Sequence, residues 1–135
     1  MRSIIFRGKL RNGTWVYGDL RQYHNGEAAI IENDQFDIPM VIPETVGQHT
    51  GMTDYNGVPI YEGDLIEALL PRTDAVAQFR WPLAAVVFRE GAFCLDYSHV
   101  RFTPLSSFAP SVQLRVFGNI HDNPISEEAW NDNAR

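Results

Sequence analysis

Three Asn-Gly pairs, Asn12-Gly13, Asn25-Gly26 and Asn56-Gly57, each stand between short runs of apolar, β-branched and aromatic residues. Asn-Gly in that setting is the strongest local signal for a β-hairpin, because both residues tolerate the positive φ of a two-residue turn. The first pair separates an expected strand over residues 4–10 from one over 14–20, and the second leads from 20–24 into 27–32. No segment before the last dozen residues sustains a 3.6-residue period, and no repeat of 20–50 residues is present. The chain therefore reads as all-β.

The third pair opens the stretch around which the rest is organised. Asp54-Tyr55-Asn56-Gly57 precedes Ile60-Tyr61-Glu62-Gly63-Asp64-Leu65-Ile66, which reads as strand, corner, strand. Gly63 supplies the backbone freedom of the corner, and Asp64 can accept from N–H groups that the turn exposes. Upstream, Pro39 limits residues 38–42 to an edge strand or extended coil, and Pro43 suits a corner over 42–47. Downstream, Glu90-Gly91 turns 84–88 back into 92–96, residues 97–110 read as an irregular loop, and 112–120 form the last strand. Asn123-Pro124 then fits a helix start, with Glu127 and Glu128 on the favourable side of its dipole. A short helix is expected to about Trp130, within a single domain over 1–135 that can be subdivided at 1–52, 53–122 and 123–135.

Composition bears on what such a chain can need. At 135 residues it can bury roughly two-thirds of its unfolded surface, enough to fold without disulfides or metal. Cys94, the one cysteine, lies in Gly91-Ala92-Phe93-Cys94-Leu95 and reads as a small buried hydrophobe rather than a nucleophile. No run of about 18 apolar residues exists, so no helical membrane span is expected, and residues 1–10 lack a leader's continuous apolar core. A cytoplasmic protein is expected.

Charge is distributed unevenly. Residues 1–21 carry five cations against one acid, a balance of +4, whereas residues 22–72 carry one cation against nine acids, −8. With a net charge of −6 and a pI near 5.1 the chain does not read as a general duplex binder. The asymmetry suits basic strands lying against acidic ones, within or between subunits, or a basic arm for an acidic partner.

Candidate chemistry is sparse. No two histidines have ligand spacing, and Asp54-x-Asn56-Gly57 fails the calcium-loop template because position 12 falls on Gly63, so neither metal nor cofactor is expected. Glu62 and Asp64 can share a strand face, the arrangement by which paired carboxylates divide acid and base roles, although Gly63 between them favours local turn bonding. Glu44, Thr45, Gln48, His49 and Thr50 form the densest polar cluster without an evident structural task, and are candidate binding residues. Asn12, Gly13, Asp54, Asn56, Gly57, Glu62, Gly63, Asp64, Gly118 and Asn119 are read as turn and corner residues. Trp15, Tyr17, Trp81 and Phe88 form a core or an aromatic face for single strands or a peptide.

Four separated blocks resemble the YopX family of small proteins encoded by bacteriophages and prophages. They are Phe6-Arg7-Gly8-Lys9 with Trp15-Val16-Tyr17-Gly18-Asp19-Leu20, and Ile42-Pro43-Glu44-Thr45-Val46-Gly47-Gln48-His49-Thr50-Gly51. The others are Asp54-x-Asn56-Gly57 with Ile60-Tyr61-Glu62-Gly63-Asp64, and Val116-Phe117-Gly118-Asn119-Ile120-His121-Asp122-Asn123-Pro124. The stretch 68–83, with Pro71 and Pro82, departs from the family pattern. The resemblance implies an all-β fold with an SH3-like small β-barrel and a homo-oligomer. The N-terminal hairpins and the short C-terminal helix read above would extend that barrel, and the expected location is the cytoplasm of a bacterial host. The resemblance carries over no catalytic residues. The expected function is a non-catalytic module that binds itself, or a host or phage protein. The alternatives are a nucleic-acid-binding β-barrel and, third, a hydrolase using Glu62, Asp64 and His49.

Overall fold

The computed structural model describes residues 4–32, 38–70, 79–80, 83–96, 102–108 and 112–123. Every regular element among them is a β-strand, apart from a 3-10 turn at Leu105–Ser107, and the strands pair antiparallel in two sheets. The fold is all-β. The chain divides into two compact units, Met1–Gly51 and Met52–Arg135. No helix among the described residues is long and apolar enough to cross a membrane.

The first unit holds β1 (Phe6–Lys9), β2 (Trp15–Gln22), β3 (Ala28–Ile31) and most of β4 (Met40–Thr53). β1 pairs with β2, β2 with β3, β3 with β4, and β4 again with β1, so the ladder closes into a ring. Alternation along each strand turns one set of side chains inward. Val16, Ala28, Ile30 and Val41 are buried there, with Phe6, Leu10, Leu20 and Val46 packed against them. Each valine, leucine, isoleucine or phenylalanine among them contributes about 1.5–3 kcal/mol when fully covered. Four strands leave a narrow interior, and two glycines make it possible. A Cβ on Gly8 would come within 2.8 Å of Val41, and one on Gly18 within 2.0 Å of the Ile31 carbonyl oxygen.

The Asn-Gly hairpins form, but with a different turn from the expected two-residue one. Leu10 N–H donates to Thr14 O (2.8 Å) and Gly13 N–H to Leu10 O (2.9 Å), and the same pair of bonds closes Tyr23–Glu27 and Asp54–Val58. Only the glycine of each turn has positive φ (93°, 89° and 83°), while the asparagine before it does not. These are three-residue connections ending in a left-handed glycine, the G1-bulge type. Asparagine serves two of them through its side chain, since Asn12 Oδ1 accepts from Thr14 N–H and Asn25 Oδ1 from Glu27 N–H. The two-residue turn with two positive φ values is at Glu90-Gly91, 52° and 79°, between Arg89 and Ala92.

A second correction concerns residues 38–47. The expected short edge piece and separate corner are parts of one strand of 14 residues, which runs through Pro43. Proline is tolerated because the pairing with β1 breaks there: Lys9 faces Ile42 but Arg7 already faces Gly47.

The second unit holds β5 (Pro59–Tyr61), β6 (Asp64–Leu70), β7 (Phe79–Arg80), β8 (Ala84–Arg89), β9 (Ala92–Asp96), β10 (Phe102–Pro104) and β11 (Gln113–Asn119). β5 pairs with β4, and the others form a sheet of order β10-β9-β8-β6-β11, with β7 also on β6. Ile66, Ala68, Ala84, Val86, Leu95 and Leu114 pack on one face with Ile60 and Leu105. Leu65, Ala85 and Leu83 pack together separately, on the alternate positions. Burial of both faces explains why β6 and β8 read as apolar runs rather than as alternating strands.

The Glu62-Gly63-Asp64 corner is clamped from both sides. Gly63, at φ 94°, donates its N–H to Val86 O (2.8 Å) and accepts from Ile120 N–H (2.9 Å), while Asp64 Oδ2 accepts from Tyr61 N–H (2.7 Å). At the end of β11, Asn119 Oδ1 takes the N–H groups of His121 and Asp122, and Asn123 N–H returns to Asn119 O. The turn is therefore built by Asn119. The helix expected after Asn123, and the positions of Pro71, Trp81 and Pro82, lie outside the described residues.

Candidate functional site

The polar groups singled out in the sequence fall into three places. Glu44, Thr45, Gln48, His49 and Thr50 all lie on β4 within the first unit. Thr45 is buried: its hydroxyl accepts from Lys9 N–H (2.8 Å) and donates to Ile42 O (2.6 Å), stitching the strand across its register shift. His49 N–H donates to Ile5 O, Gln48 faces Phe6 across the β1 pairing, and Glu44 is exposed. Glu62 and Asp64 share the clamped corner of the second unit, whereas His49 belongs to the first. Trp15 and Tyr17 are on β2 and Phe88 on β8. Among the described residues no group of three or more His, Cys, Asp or Glu side chains could hold a metal ion.

The third place is the Asp54 turn. Asp54 is 7% exposed, yet its carboxylate takes three backbone N–H groups: Asn56 and Val58 on Oδ1 (2.8 Å each) and Val116 on Oδ2 (3.0 Å). Tyr55 N–H donates to Leu114 O (2.7 Å). The turn thus supplies bonding partners to the outer side of β11, where the sheet would otherwise end. An ionised carboxylate suits this, because it accepts several N–H bonds at once and charge-assisted bonds are the stronger kind. With three acceptor positions taken by the backbone, its task is positional rather than proton transfer.

What it positions is apolar. Tyr55 is 65% exposed, Val58 44% and Phe117 58%. Phe117 is thrown out by a bulge, since Val116 faces Ile66 and Gly118 already faces Leu65. Val58 and Val116 donate to the same carboxylate, so the turn and the bulge are held side by side. Tyr55 also lines a cavity of about 220 Å³, with Met52, Leu105, Phe108, Val112 and Leu114 and with Thr53, Asp54 and Gln113. The two rings expose on the order of 250 Å².

Two buried carboxylates were not legible as such in the sequence. Glu67 pairs with Arg115 (3.3 Å), opposite it on β11, and Asp96 pairs with Arg89 (3.5 Å). Glu67 and Arg115 are 48 residues apart, and only the strand register brings them together. Cys94 is 1% exposed, and burial, with Glu90 nearby, pushes its thiol above the ordinary range.

The sequence profile of the YopX protein family matches residues 5–126. The chain belongs to the YopX family. The match takes in both units, from β1 to the turn after β11. A solved structure, that of protein EF1440 from Enterococcus faecalis, is similar to this YopX protein over 92% of the present chain and 97% of its own. The two are 20% identical with a TM-score of 0.50, a likeness of fold. None of the curated proteins compared with the chain matches it.

Proposed function

We propose that this YopX-family protein is a non-catalytic interaction module of phage or prophage origin, acting in the cytoplasm as a homo-oligomer. One observation carries the reading. A buried carboxylate with three backbone hydrogen bonds is spent on holding Tyr55, Val58 and Phe117 outward, with Tyr55 on the wall of a largely apolar cavity. Large apolar side chains presented rigidly at the surface are the usual anchors of protein interfaces. About 250 Å² can seed an interface but not complete one, since a stable pair buries about 800 Å² per partner.

We also read the second unit as an SH3-like small barrel. The order β10-β9-β8-β6-β11, with a 3-10 turn between β10 and the last strand, supports it, because the first long strand then lies beside the last.

Light scattering on the purified chain tests the assembly. A mass above the monomer is expected, and the double substitution Tyr55→Ser, Phe117→Ser should return it to the monomer with the fold kept. A wild-type monomer at every salt and protein concentration overturns the oligomer reading. An oligomer unaffected by the double substitution moves the interface elsewhere.

A further inference from the structure

The first unit carries a second surface, of different chemistry. On β1 and β2 the inward positions are Gly8 and Val16, so the paired residues Lys9 and Trp15, and Arg7 and Tyr17, share the outward side. The alternation continues along β2 through Asp19 and Arg21. Cations and rings interleave here. The Arg7 guanidinium lies 4.8 Å from the Trp15 ring centre, Lys9 Nζ lies 5.9 Å from the same ring, and the Arg21 guanidinium lies 5.2 Å from Tyr23. Arg7 is only 6% exposed, so it serves to fix the Trp15 ring. Tyr17, beside it, is 45% exposed, and Arg11 and Arg21 are exposed.

We propose that this face binds single-stranded nucleic acid, with Tyr17 stacking on a base and Lys9, Arg11 and Arg21 taking backbone phosphates. Aromatic rings set among cations on a small β-barrel are what sequence-tolerant strand binding requires, because every base offers a π-face and every linkage a charge. A duplex hides its base faces and offers this surface only its charge. Two acids limit the field: Asp19 lies on the same strand face, and Glu32 Oε1 accepts from Tyr17 N–H. Binding is therefore expected to be moderate and to need low salt.

The test uses the full chain with a fluorescently labelled thymidine oligonucleotide, its matched duplex, and a poly-glutamate peptide as competitor. Binding to the single strand should weaken with a log–log salt slope of about −2, as three phosphate contacts on a single strand predict. Tyr17→Ala should weaken it about 5- to 150-fold, the effect of one lost stacking contact, while Tyr17→Phe should keep it. Arg21→Ala should lower the slope by about 0.7. No binding at low salt overturns the proposal. So does binding that Tyr17→Ala leaves intact, or that the acidic peptide displaces as well as the oligonucleotide does, since charge alone would then account for it.

Discussion

Thr45 in the first unit and Asp54 in the second stand at the same kind of fault, a place where strand pairing is interrupted. The solutions differ. Thr45 is neutral and two-handed: one hydroxyl accepts from Lys9 N–H and donates to Ile42 O, repairing a slip between two strands that continue on both sides. Asp54 is charged and accepts only. It gathers three N–H groups from two separate segments, turn and edge strand, which share one further backbone bond, from Tyr55 N–H to Leu114 O. A hydroxyl mends a ladder because a broken ladder leaves both a donor and an acceptor. A carboxylate joins a turn to a sheet edge because each presents donors. The stretch 54–58 also leaves apolar side chains outside, whereas the slip at Thr45 leaves Glu44 and Pro43 outside.

Substitution should separate the two by size. Asp54→Ala removes three charge-assisted bonds worth roughly 1.5–3 kcal/mol each, but water can reach the exposed Asn56 and Val58, so a net loss of about 2–4 kcal/mol is expected in urea unfolding. The comparison fails if Asp54→Ala costs less than Thr45→Val. Thr45→Val keeps the shape and leaves one donor and one acceptor without a bond, for about 1–2 kcal/mol, whereas Thr45→Ser, which keeps the hydroxyl, should cost under about 1 kcal/mol. An equal cost for Val and Ser would show that packing, not hydrogen bonding, fixes the slip. The smallest effect comes from a group at neither fault. The Cys94 thiol is raised in the folded chain, so its contribution is complete below the ordinary thiol range and is lost as pH rises through the folded value. Stability measured across pH 7–10 should therefore fall slightly more for wild type than for Cys94→Ala.

Local chemistry made much of the fold legible. Hairpins marked by glycine, the Gly63 corner and the final strand follow from residues within a few positions of one another. The turn type did not follow, because Asn-Gly serves both kinds of hairpin and only the hydrogen bonds distinguish them: asparagine contributes its side-chain oxygen and glycine alone takes positive φ. The length of β4 was hidden by Pro43, which reads as a stop unless the slip opposite it is known. The candidate site was half legible. Asp54 reads as a turn residue, but its bond to Val116 spans 62 positions. The exposure of Phe117 depends on a bulge whose partner strand begins more than 40 residues earlier.

A ring of strands has no outer rail. In the first unit β1 is bonded on both sides, and β2, β3 and β4 each find neighbours within the circuit. In the second, the far side of β11 is occupied by Asp54 and Tyr55 at Val116 and Leu114. Backbone recruitment, the route by which sheet proteins stack into fibres or swap segments, is thereby blocked at these strands. Copies that meet there must do so through side chains, and contacts of that kind can be reversed by dilution.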